Sequence, residues 1–323
     1  MPLMFDMPLE RLLTYEGRNP RPQDFDDFWT KSVAEMETLG TDCQLYPAEF
    51  THPAADCYEL WFKGVKGASV HAKLAVPKNA GTNKSNPAIV KLHGYSGDAG
   101  DWMSKIAWAA AGFTIAAIDC RGQGGKSEDV GGVIGNTLHG HIIRGLESQF
   151  PKDLLFRDIY LDCAQLTRIV MARPEVDPER VGCYGGSQGG GLTIATAALV
   201  PQIKRAAPVF PFLSDYKRVW EMDLAQHAYA ELKEFFRHTD PLHQREDETF
   251  TKLGYIDVQF LAPKIKAEVM MTLGLMDTIC PPSTQFAAYN KITSKKSYVA
   301  YPDFGHEDLP GKEDRIFQFM LGL

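Results

Sequence analysis

Apolar residues first recur at helical spacing. Phe25, Phe28, Trp29, Val33 and Met36 fall on one face, and Asp24 stands where a cap would. Residues from about 1 to 40 therefore read as a helical extension. The period then changes. Runs at 57–62, 70–76, 88–92 and 113–118 have the short, apolar pattern of strands. Asn79 to Pro87 is a turn-rich stretch between two of them, a hairpin or crossover loop. Farther on, strand and helix alternate. Ile159, Cys163, Leu166, Ile169 and Val170 mark one face of a helix after Arg157. Short strands are predicted at 181–184, 206–209, 269–273 and 298–301, with helices at 192–200 and 316–321. Leading β-hairpins followed by β-α units predict an α/β fold, a mostly parallel twisted sheet with helices on both faces. The segment from about 212 to 263 interrupts this rhythm and reads as two or three inserted helices. No repeat or flexible linker divides the chain, so residues 1–323 read as one domain.

Composition narrows the function classes. With 44% hydrophobic and 23% charged residues, the chain is not a disordered or low-complexity one. Lys plus Arg total 34 against 41 Asp plus Glu, a net charge of −7. That excess of acid argues against a nucleic-acid partner and against an anionic membrane surface. None of the six cysteines forms a C-x-x-C pair, and several lie in apolar runs, the pattern of buried free thiols. Met1 to Glu10 carries two acids and no base, unlike a signal peptide. No run of 18 apolar residues is present. These features predict a cytoplasmic protein.

The chemistry concentrates at Gly185-Gly186-Ser187-Gln188-Gly189, a G-x-S-x-G match with a predicted strand before it and a helix after. That context puts a serine on a sharp strand-to-helix turn. The helix N-terminus offers free N–H groups to a developing oxyanion. A phosphate-binding turn is the alternative, but neither G-x-G-x-x-G spacing nor a P-loop lysine is present. A serine of this kind needs an acid and then a histidine later in the chain. Asp277 lies 90 residues on (277 − 187) and His306 a further 29 (306 − 277), each just after a predicted strand. His306 would take the Ser187 proton and Asp277 would orient the imidazole. Asp303 and Asp308 flank His306, and Asp119 ends an earlier strand; these are the rival acids. Tyr95, in the loop after 88–92, and Gln188 are the expected oxyanion donors through their backbone N–H groups. His93 reads as a buried structural residue. Tyr95 and Phe212 are candidates for lining the substrate pocket. His139 and His141 form an H-x-H without a third ligand, and Pro310 stands where H-E-x-x-H would need its second histidine. No metal and no cofactor is expected.

These residues resemble the signature blocks of carbohydrate esterase family 7, the acetyl xylan esterases and cephalosporin C deacetylases. The blocks are Arg121-Gly122-Gln123, Gly185-x-Ser187-Gln188-Gly189 and His306-Glu307. The resemblance extends through Asp6 to Tyr15, Phe28-Trp29, His93-Gly94-Tyr95 and Pro281 to Asn290, nearly the whole chain. It implies an α/β-hydrolase fold and a serine esterase that deacetylates small esters, such as acetylated xylo-oligosaccharides and cephalosporin C. The implied triad is Ser187, Asp277 and His306, with Tyr95 and Gln188 at the oxyanion. Arg121 and Gln123 would be structural. It further implies a homo-oligomer, with hexamers among the members, and a peracid-forming side activity. Phe210 and Phe212 stand where tyrosines are common in the family. Alternatives are a short-chain carboxylesterase without acetyl preference, a peptidase related to prolyl oligopeptidases, for whose propeller the chain is too short, and a non-catalytic binding protein.

Overall fold

A computed structural model describes residues 5–130 and 137–323. Of the expected helical extension, residues 1–4 therefore lie outside the described residues. The rest of that extension is two separate helices rather than one stretch. In chain order the elements are α1 (Leu9–Leu12), α2 (Phe25–Glu37), β1 (Gln44–Pro47), β2 (Ala55–Lys63), β3 (Ser69–Pro77), β4 (Asn86–Leu92), α3 (Met103–Ala110) and β5 (Thr114–Ile118). There follow α4 (Leu155–Ala172), β6 (Val176–Gly186), α5 (Gln188–Leu199), β7 (Arg205–Val209), α6 (Tyr216–Glu221), α7 (Ala230–Thr239), α8 (Glu246–Leu253) and α9 (Val258–Leu261). The chain closes with β8 (Glu268–Gly274), α10 (Pro282–Lys291), β9 (Lys296–Tyr301) and α11 (Lys312–Met320).

The strands form one sheet in the order β1-β2-β3-β5-β4-β6-β7-β8-β9. The first three are antiparallel to their neighbours, and the six from β5 to β9 run parallel. The loop from Asn79 is thus a crossover, since β3 pairs with β5 and not with β4. Side chains alternate between the two faces, as the pleat requires. Val90, Leu92 and Cys183 enter a core with α4 and α5, while Ile89, Tyr184 and Val209 enter another with α3 and α11. The sheet is covered on both sides, the arrangement predicted for a parallel sheet.

The inserted segment holds four α-helices, one or two more than its pattern predicts. It packs against α2 through aromatic contacts such as Phe28–Tyr255 and Phe25–Phe260, and Tyr160 Oη of α4 donates to Ile256 C=O at 2.8 Å. Asp24 precedes α2 but does not cap it with its side chain; its carboxylate instead accepts from Tyr255 Oη. Five of the six cysteines are buried and all six are free. Among the described residues no helix is long and apolar enough to cross a membrane.

Candidate active site

β6 ends in the turn that carries Ser187. Its backbone sits at φ 58° and ψ −119°, a conformation that costs a residue with a side chain on the order of 1–3 kcal/mol. The surroundings hold it there. Ser187 N–H donates to Val209 C=O at 3.0 Å, and Ser187 C=O accepts from Gly190, Gly191 and Phe212 N–H at 2.9, 3.1 and 3.0 Å. The flanking glycines are needed for space. A Cβ on Gly185 would lie 2.3 Å from the Leu92 carbonyl oxygen, and one on Gly189 only 2.1 Å from it. β4 and the start of α5 can therefore approach only over bare backbone.

Two later loops bring the partners. His306 Nε2 lies 3.0 Å from Ser187 Oγ, and His306 Nδ1 lies 2.8 Å from Asp277 Oδ2. The loops after β8 and β9 are themselves tied. Met276 N–H donates to Phe304 C=O at 2.9 Å, and Gly274 lets that carbonyl pass where a Cβ would stand 2.2 Å away. Asp277 is fully buried. Its Oδ1 accepts from Ile279 and Cys280 N–H at 2.9 and 2.8 Å, which leaves Oδ2 for the imidazole. The Phe210 ring packs on His306 with centroids 4.4 Å apart. Cys280, read in the sequence only as a buried thiol, lies within hydrogen-bonding reach of the Ser187 hydroxyl; burial pushes its thiol well above the usual range.

The rival acids are elsewhere. Asp119 faces His71 Nδ1 at 2.6 Å and accepts from Ala99 and Lys126 N–H. Burial alone would raise its carboxyl, but those hydrogen bonds bring it down to about 2. Asp303 and Asp308 are exposed.

Gln188 opens α5, so its N–H belongs to the unpaired first turn. Its side chain faces Gln123 in a reciprocal amide pair: Gln123 Nε2 donates to Gln188 Oε1 at 2.9 Å, and Gln188 Nε2 donates back at 3.0 Å. Gln123 Oε1 also accepts from Ser96 N–H at 2.9 Å. One buried amide thus locks the Tyr95 loop to the Ser187 turn. His93 tightens the same loop. Cys120 N–H donates to its Nε2 at 2.9 Å, so Nδ1 carries the proton and donates to Gly94 C=O at 2.7 Å. Burial lowers the His93 pKa, which keeps that neutral form. Arg121 is fully buried against Asp162 through two contacts of 2.6 and 2.7 Å.

The two pocket candidates part company. Tyr95 is half-buried. Phe212 is fully buried and contacts Tyr229 and Tyr95 at centroid separations of 4.3 and 5.8 Å. Its N–H holds the Ser187 carbonyl, while its ring packs on Tyr95. Phe210, Leu92, Gly186 and Ser187 border a cavity of about 360 Å³, whose lining includes neither Tyr95 nor Phe212. His141 is buried against Tyr95, and His139 is exposed.

A family model described as acetyl xylan esterase (AXE1) matches residues 1–323. The chain belongs to this family. Acetyl xylan esterase 1 from Thermoanaerobacterium sp. JW/SL YS485 is 54% identical, with a TM-score of 0.94 over 98% of this chain and 99% of that one. The acetyl xylan esterase from Paenibacillus sp. R4 is 36% identical, with a TM-score of 0.91 over the same shares. Acetyl esterase Axe7A of Xylanibacter ruminicola is 26% identical over 291 residues, 87% of this chain. The chain spans 62% of the length of Axe7A. As a member of the acetyl xylan esterase family the protein is a carboxylic ester hydrolase with the α/β-hydrolase fold. Gln123 and Gln188 each fall in a block shared with the family, but nothing in the sequence pairs their side chains, and Phe210 carries no motif of its own.

Proposed function

We propose that the protein removes acetyl groups from small esters, acetylated xylo-oligosaccharides among them, through an acetyl-enzyme on Ser187. The observation that carries this reading is the hydrogen-bonded chain from Ser187 Oγ through His306 to Asp277, at 3.0 and 2.8 Å. In the first step His306 Nε2 accepts the Ser187 proton as Oγ attacks the acetyl carbonyl. Negative charge then develops on the carbonyl oxygen. The N–H groups of Tyr95 and Gln188 are assigned to that oxygen, each worth roughly 3 kcal/mol of transition-state stabilisation. Collapse expels the alcohol, which takes its proton from His306. A water then repeats the cycle on the acetyl-enzyme, giving acetate and free Ser187. Throughout, Asp277 Oδ2 holds the Nδ1 proton and stabilises the imidazolium.

The same reading takes in the acetyl group of cephalosporin C, and hydrogen peroxide in place of water, which would give peracetic acid. The family resemblance adds a cytoplasmic homo-oligomer, with a hexamer as the specific expectation, which the sedimentation of the purified chain tests. The substrate claim is tested with initial rates on p-nitrophenyl acetate, p-nitrophenyl butyrate and acetylated xylo-oligosaccharides. Acetate preference and release of acetate from the oligosaccharides are expected. Equal butyrate turnover would leave a short-chain carboxylesterase and remove the acetyl-specific reading.

A further inference from the structure

We propose that Asp277, Cys280 and His306 form an inhibitory binding site for a zinc-class divalent cation, superimposed on the hydrolytic site. The proposal rests on the catalytic roles given above to Asp277 and His306.

One donor atom from each side chain, a carboxylate oxygen, the thiol sulfur and a ring nitrogen, lies within 4.8 Å of the other two. Among the described residues this is the one such group. Zinc takes sulfur at about 2.3 Å and nitrogen or oxygen at about 2.0–2.2 Å in a tetrahedron, which puts its ligand atoms roughly 3.3–3.6 Å apart. At separations of up to 4.8 Å, the three atoms need to close in by at most about 1.2–1.5 Å to reach a coordinating arrangement. The donor set also suits the ion: nitrogen, sulfur and oxygen together favour zinc over magnesium or calcium. Asp277 and Cys280 are fully buried, and the His306 side chain keeps 15% of its surface exposed, giving the cation a way in.

Charge balances in the bound state. The cation displaces the thiol proton to solvent, and the imidazole stays neutral. Carboxylate and thiolate then cancel the two positive charges, so no net charge is left buried.

Inhibition follows whichever ring nitrogen is taken. A cation on Nδ1 drives the ring proton to Nε2, which can no longer accept from Ser187. A cation on Nε2 occupies the lone pair that would accept it. Cys280 is what separates this site from an ordinary Ser-His-Asp triad. Without the sulfur only two ligands remain, and those two are already hydrogen-bonded to each other at 2.8 Å.

The test compares wild type, Cys280→Ala and Cys280→Ser in p-nitrophenyl acetate hydrolysis at free Zn²⁺ fixed by a chelator buffer. Each variant is scored against its own metal-free rate. Zinc should inhibit the wild type reversibly, with full recovery in excess chelator. The inhibition constant should weaken at least about 10–100-fold in Cys280→Ala, the scale on which changed surroundings alone already alter metal affinity. Cys280→Ser serves the same comparison if the alanine variant does not fold. Co²⁺ supplies a readout independent of turnover: a near-ultraviolet sulfur-to-cobalt band in wild type and in Ser187→Ala, absent from Cys280→Ala. Equal inhibition of wild type and Cys280→Ala would overturn the proposal, as would an uninhibited wild type or a cobalt band that survives loss of Cys280. Failure of the hydrolytic reading looks different, because Ser187→Ala would then keep its metal-free activity whatever the cobalt spectrum shows.

Discussion

Replacing Asp277 with asparagine changes one atom and should nearly abolish turnover. Ordinarily an asparagine could turn its amide over to keep an oxygen toward the histidine. Here it cannot. Oδ1 accepts from two backbone donors, Ile279 and Cys280 N–H, at 2.9 and 2.8 Å, so the amide oxygen is pinned at that position. The NH2 group is forced into the place of Oδ2, 2.8 Å from His306 Nδ1. It would also meet Gln285 Nε2, which now donates to Oδ2 at 3.4 Å. Two donors cannot face each other, so Nδ1 must present its lone pair and the ring proton moves to Nε2. That nitrogen then faces Ser187 Oγ as a donor and cannot accept its proton. The same inversion in a serine protease triad lowers kcat about 10,000-fold. The expected barrier increase is therefore about 5 kcal/mol. Steady-state kinetics on p-nitrophenyl acetate should show the loss in kcat with KM little changed, and the melting temperature should stay near that of wild type. A loss smaller than tenfold with an intact fold would refute the reasoning and return Asp303 or Asp308 to consideration.

Other outcomes follow from the same geometry. Gln123→Ala strands the half-buried Ser96 N–H and the fully buried Gln188 amide, the latter a group whose lost partner costs about 1–3 kcal/mol; kcat should fall, at most by the 100- to 1,000-fold expected for a lost oxyanion donor, with acetate KM nearly unchanged. Gly189→Ala places a Cβ 2.1 Å from the Leu92 carbonyl oxygen, and backbone cannot yield as a side chain can, so a destabilisation of at least about 3 kcal/mol should appear in chemical denaturation. Burial raises the Glu231 carboxyl from 4.5 to about 7, so the folded state holds its proton more tightly than the unfolded chain. Its contribution to stability is therefore full below pH 4.5 and is lost as pH rises to about 7. Glu231→Gln should remove that loss, so the stability of the variant relative to wild type should climb across this window and level off above it.

Much of the parallel sheet was legible because its strands are short apolar runs between turn residues, and 181–184, 206–209 and 298–301 lie inside β6, β7 and β9. Elements that bury little of the expected pattern were not. β1 is an edge strand with mostly exposed side chains, and nothing in Gln44–Pro47 alternates as a half-buried strand should. α3 buries a lysine, Lys105, whose ammonium reaches carbonyl oxygens of the 99–101 loop, a placement that hydropathy scores as solvent. At the site, chain order and turn chemistry point to Ser187, Asp277 and His306. The pocket is another matter. Phe210 has a positive φ of 30° at the end of β7. This breaks the two-residue alternation, so counting along the strand cannot tell which phenylalanine packs on His306. Gln123 and Gln188 are 65 positions apart, and amide pairing at that distance leaves no periodic trace.

The central claim is that an acetyl group passes through Ser187. Wild type and Ser187→Ala should be mixed with p-nitrophenyl acetate, quenched in acid within the first turnover, digested and read by mass spectrometry. One acetyl group on the peptide containing Ser187, absent from the variant and lost from wild type as the substrate is exhausted, is the predicted result. An acetyl group on another residue during turnover, or turnover by Ser187→Ala at the wild-type rate, would contradict it.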